Sequence, residues 1–140
     1  MFNPSRDQVR QFFFRAWAQY QARLPLAGLE SQAVQVMLLH PEYHALLSRP
    51  EDSAQQEYPP ESGEMNPFLH LSLHLAIEEQ LAIDQPQGIR KELDRLLAGG
   101  KDRHEALHVV LECLGEMVWQ AQRRGGEPDA AAYLERLRRS

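Results

Sequence analysis

Cysteine is all but missing from this chain. Cys113 is the only one, so an intrachain disulfide and a thiolate zinc cluster are both excluded. Its apolar neighbours predict a buried, inert thiol. Long apolar runs are missing too: no stretch approaches the roughly 18 residues of a membrane span. The first residues, Met1-Phe2-Asn3-Pro4-Ser5-Arg6-Asp7, carry charges where a signal peptide has an apolar core, which predicts a cytoplasmic location. Excess positive charge is also lacking. The net charge of −5 offers nucleic acid no general attraction. The basic tail of Arg123, Arg124, Arg136, Arg138 and Arg139 is diluted by Glu127, Asp129 and Glu135, and reads as a solvated face. No glycine-rich phosphate loop and no alternating strand pattern are present.

What is there is an ordinary globular composition, 43% hydrophobic and 25% charged, which argues against disorder. A length of 140 residues suits one domain with its own core. Helix punctuation is frequent. Asn3-Pro4 and Asn66-Pro67 each read as an N-cap followed by proline in the first turn. Asp102 reads as another start and Gly125-Gly126 as a stop. Apolar stripes at helical spacing run through Val9, Phe12, Phe13, Ala16, Trp17 and Tyr20, and through Leu107, Val110, Leu111, Leu114 and Val118. The pattern predicts helices near 4–23, 29–47 (with a break at His40-Pro41), 67–83, 87–98, 103–124 and 128–138. A polar loop is expected over 48–65. The expected fold is all-α, a compact bundle of five to six helices.

The six histidines form three pairs, His40 with His44, His70 with His74, and His104 with His108. Random placement at this length predicts only about a quarter of one such i, i+4 pair, the spacing that puts two side chains on one helical face. Carboxylates extend two of the pairs by further turns: Glu78 after His74, and Glu112 and then Glu116 after His108. Rows of imidazole and carboxylate are costly to bury without compensation, and a bound cation supplies it. Residues i and i+8 lie ~12 Å apart along a helix axis, too far to close on one small ion. Two divalent ions ~3.5–4 Å apart, bridged by a glutamate, fit that span better. The expected ligand set is therefore His40, His44, His70, His74, Glu78, His104, His108, Glu112 and Glu116 around two ions of iron, zinc or manganese. Glu79 is an alternative to Glu78 in a slightly shifted helical phase. His40 is the weakest member, because Pro41 makes it an N-cap candidate with its ring turned to solvent.

Other features carry plainer readings. His104-Glu105-Ala106-Leu107-His108 matches the H-E-x-x-H pattern of zinc proteases. Such enzymes need a substrate cleft, usually edged by a strand, so Glu105 reads as a solvent-facing helix residue. Trp17, Trp119 and Phe12–Phe14 read as core packing, as do Tyr43 and Tyr58. Gln80 and Gln122 are candidates for hydrogen bonding to ligands.

Several ordered segments point to a family. His40-Pro41-Glu42-Tyr43-His44, Asn66-Pro67-Phe68-Leu69-His70 with His74, and His104–His108 running to Glu112-Cys113-Leu114 and Trp119-Gln120-Ala121-Gln122-Arg123 resemble a small proteobacterial family catalogued as domain of unknown function 1841. The resemblance covers nearly the whole chain and implies no established activity. A looser likeness is to hemerythrin-like bundles, although helix order and the third histidine pair differ, and the E-x-x-H signature of ferritin-like proteins is absent. The expected function is metal binding at a dinuclear His/Glu site. Redox or oxygen-linked chemistry is the first reading. A metal-dependent hydrolase, and a non-catalytic module that uses metal for structure or partner binding, are the alternatives. Expected partners are a small-molecule ligand of unspecified kind and neither nucleic acid nor membrane; a homo-oligomer stays open.

Overall fold

Side-chain caps decide where this chain turns helical. In the computed structural model, which describes residues 5–58 and 66–140, helix α1 spans Arg6–Gln21. Ser5 Oγ accepts the Gln8 backbone N–H at 3.1 Å, and Gln8 Oε1 accepts that of Ser5 at 2.8 Å. Two otherwise orphaned donors are satisfied by this reciprocal box. The cap expected at Asn3-Pro4 falls outside the described residues.

Helix α2, Leu29–Leu38, is shorter than the 29–47 expected from periodicity. Proline disfavours the α region in the residue before it, and the chain shows this twice. His40 before Pro41 sits at φ −127°, ψ 68°, and Arg49 before Pro50 at φ −128°, ψ 68°. After the first break comes a 3₁₀ turn, Pro41–Tyr43, and the single-turn helix α3, His44–Leu47. After the second comes α4, Pro50–Ser53, inside the stretch expected to be loop. The part of that loop over 59–65 lies outside the described residues.

The four remaining helices agree with the sequence reading to within about two residues. Helix α5 is Pro67–Ile83, α6 Ile89–Ala98, α7 Arg103–Arg124 and α8 Ala130–Arg138. Asn66 Oδ1 accepts the N–H groups of Phe68 and Leu69 at 2.9 and 3.3 Å, as its predicted cap role requires. Arg90 closes the other end of α5 by donating to the carbonyls of Leu81 and Ala82. Asp102 and Glu105 form the box that starts α7, and Gly125, at φ 68°, ends it in the left-handed conformation that glycine adopts without penalty. Among the described residues all regular structure is helical. The all-α class holds, and α3 and α4 raise the helix count above the five to six expected.

Contacts divide the chain into two compact units, Met1–Leu75 and Ala76–Ser140, with the boundary inside α5. The first unit packs α1 on α2 around Phe13, Phe14, Trp17, Val34, Val36, Met37, Leu47, Phe68 and Leu71. Each large apolar side chain so buried contributes about 1.5–3 kcal/mol. Phe14 meets Phe68 edge-on at 5.6 Å. A buried cation interrupts this core: Arg10 Nη1 donates to the carbonyls of Ser53, Ala54 and Gln56 at 3.2, 3.0 and 2.8 Å. Its guanidinium lies 4.5 Å from the Phe68 ring centre, and burial pushes its pKa below the ordinary arginine value.

The second unit packs α6, α7 and α8 together. Ile89, Leu93, Leu96, Leu107, Val110, Leu114, Tyr133 and Leu137 are buried there. Glu92 is buried as well, and is paired with Arg95 at 3.0 Å and Arg138 at 3.6 Å. Arg95 also donates to the carbonyls of Leu137 and Ser140, which fastens the last turn of α8 to α6.

Candidate metal centre

The break after α2 places His40. Its ring is almost fully buried, and Nδ1 lies 2.8 Å from the carbonyl oxygen of Val36. A carbonyl only accepts, so Nδ1 donates to it, and in the tautomer this selects Nε2 presents a lone pair. That lone pair points at His70, with Nε2 to Nε2 at 3.1 Å. His70 and His74 occupy the first two turns of α5 and share its face because they are four residues apart. The three rings form a nearly equilateral triangle: centres are 4.9 Å apart for His40–His70, 4.7 Å for His40–His74 and 4.8 Å for His70–His74. One ring nitrogen from each lies within 4.8 Å of the other two. His74 is as deeply buried as His40, and His70 is half-buried.

Tyr43 walls this triangle. Its ring stacks on His40 at 5.5 Å and 6° between planes, and meets His70 edge-on at 6.0 Å. Burial, with Glu42 and Tyr58 adding repulsion, pushes its phenol pKa above the ordinary value.

Not every candidate turns toward the triangle. His44 does not: its Nε2–H donates to the Met37 carbonyl at 2.7 Å, and its ring tilts over Trp17 at 4.4 Å. The i, i+4 relation to His40 is lost because His40 itself is not helical and the turn between them is 3₁₀ rather than α-helical. His104 and His108, in the second unit, do stay together on α7 with ring centres 4.2 Å apart. Glu78 makes a two-pronged ion pair with Arg103, at 3.0 and 2.9 Å, which raises the arginine's pKa. Glu116 accepts from Gln120 at 3.0 Å and faces Arg136 at 3.7 Å. Glu112 and Glu79 are exposed.

Supporting expectations divide in the same way. Glu105 is exposed and caps α7, which removes the protease reading of the H-E-x-x-H match. Gln80 accepts from the Tyr133 hydroxyl at 2.8 Å, and Gln122 is exposed. Cys113 is buried, and burial pushes its thiol pKa up, which fits an inert thiol. Trp17 is core, as expected. Trp119 is not: it is 47% exposed and carries the Arg123 guanidinium 4.6 Å from its ring centre. Periodicity alone missed the parts played by the Val36 carbonyl and Arg103. The Pro41 break was the one signal in the sequence that the His40 environment would depart from a plain helix face.

These features define an all-helical protein with a cluster of buried imidazoles in its first unit. The chain belongs to the family described as Domain of unknown function (DUF1841), whose model matches residues 5–139. No curated protein and no solved structure matches it. Among the described residues, no helix is long and apolar enough to cross a membrane.

Proposed function

We propose that the protein binds a divalent metal ion through His40, His70 and His74. One observation carries the reading: the Val36 carbonyl fixes the tautomer of His40 so that a buried Nε2 lone pair faces a second imidazole at 3.1 Å. A metal-ligating histidine commonly has its other ring nitrogen held in this way, by a carbonyl or a carboxylate. Buried imidazoles are also the donors that bind zinc, copper, iron and nickel well. A cytoplasmic location belongs to the same proposal, and the charges at Arg6 and Asp7 are what support it.

The dinuclear, oxygen-linked or hydrolytic reading carries less support, because it needs carboxylate bridges. Glu78 and Glu116 face arginines, and Glu112 faces solvent. A metal with a structural or regulatory role asks only for the imidazoles. Elemental analysis of protein purified without an affinity tag, alongside His74→Ala, tests the proposal. The expected result is metal in the parent chain and little in the variant. A parent chain that neither retains nor takes up any divalent metal would overturn it.

A further inference from the structure

We infer that the centre selects a single borderline cation of the zinc type rather than a pair of iron or manganese ions. The inference rests on the metal-binding proposal and adds the number and class of the ion.

Three features point this way. First, the three imidazoles that the first unit contributes offer only nitrogen donors. Shared between two ions, three donors leave one of them with a single protein ligand; on one ion they nearly complete a tetrahedral shell, with a water or one further donor in the last place. Second, the separation suits one ion. Two nitrogens bound to one tetrahedral ion at ~2.0–2.1 Å each stand about 3.3 Å apart, and His40 and His70 already stand at 3.1 Å. Third, the triangle contains no carboxylate. A buried pair of divalent ions brings four positive charges, and no carboxylate belongs to the donor group to offset them. Manganese, like magnesium and calcium, favours oxygen donors, whereas imidazole suits zinc, copper, iron and nickel, so donor type argues against manganese and the missing carboxylates argue against a pair of irons. The rigid backing of His40 by Val36 and Tyr43 adds to this selection, because it keeps the ring from swinging out toward a larger, more loosely coordinated ion.

Cobalt(II) is the direct probe, since four-coordinate cobalt absorbs visible light much more strongly than six-coordinate cobalt. The metal-stripped chain is titrated with cobalt(II), then with zinc in competition, and separately with manganese(II) and with iron(II) under anaerobic conditions. The expected result is saturation at one cobalt per chain with an intense visible spectrum. Zinc displaces the cobalt stoichiometrically, and manganese at the same concentration leaves it in place. Glu78→Gln and His44→Gln keep the spectrum, while His40→Ala loses it with helicity retained by circular dichroism. Two equivalents per chain, a weak six-coordinate spectrum, preference for manganese or iron over zinc, or loss of the spectrum in Glu78→Gln would each overturn the inference and leave metal binding itself standing. Failure to take up any of the four metals would overturn both. Should His40→Ala unfold, His70→Gln serves as the ligand variant, and an unchanged cobalt spectrum there would count against the site.

Discussion

His104 meets His108 because four residues on one helix bring them together, whereas His40 meets His70 across thirty residues of chain. The first arrangement is local and would form in any helix with that spacing. The second requires a helix to stop at Leu38, a proline to redirect the chain, and a second helix to begin at Asn66-Pro67. Donors from two separate elements can surround an ion, while two on one helix only grip it from one side. The comparison teaches that the informative histidine is the one outside a helix. His40, the weakest candidate by sequence, is the residue whose tautomer the backbone fixes.

The comparison can be broken most directly by removing one triangle member. His40→Ala or His74→Ala is expected to weaken zinc binding more than the ~100-fold seen at the upper end for residues that only support ligands, as read by calorimetry with a competing chelator. Chelation of the parent chain is expected to lower its Tm in parallel, since an ion at a hundred times its Kd contributes about 2.7 kcal/mol to stability. His104→Ala is expected to weaken binding less. A loss equal to that of His74→Ala would end the distinction between the two groups.

Smaller effects sharpen the picture. Tyr43→Ala is expected to weaken zinc binding by about tenfold through loss of the ring that backs His40, while Tyr43→Phe retains affinity. The smallest effect concerns the start of α7. Asp102 has its pKa lowered, chiefly by the Glu105 backbone N–H it accepts. A carboxyl whose folded pKa lies below its unfolded value stabilises the fold above the unfolded pKa, and loses that contribution as pH falls through the folded value. The Tm difference between the parent chain and Asp102→Asn is therefore expected to be present at neutral pH and to shrink in acid. A difference constant with pH would mean that the cap acts without its charge.

Much of the helical layout was legible in the sequence. The Asn66 and Asp102 caps, the His70–His74 spacing and the span of α7 are all local properties, and local chemistry determines them. The break in the helix expected over 29–47 also had a local cause, the Pro41 step, but its consequence for His44 was not local. Once the backbone turned, His44 found Trp17 and the Met37 carbonyl instead of His40. The carboxylates have neighbours that periodicity does not foresee, for a related reason. Periodicity places Glu78 on the face of His70 and His74, yet it is silent about Arg103, which lies 25 residues further along the chain and claims both carboxylate oxygens. Helical phase gives a side chain its direction; only the folded chain gives it a neighbour.

The span between His40 and His70 bears on how such a centre can vary. Closing a flexible loop becomes harder only as the logarithm of its length, so doubling the span adds just ~0.6 kcal/mol. The donors at its two ends are held by their own anchors, a carbonyl behind His40 and an asparagine cap ahead of His70. The positions of the imidazoles therefore answer to these local anchors rather than to the length of chain that separates them.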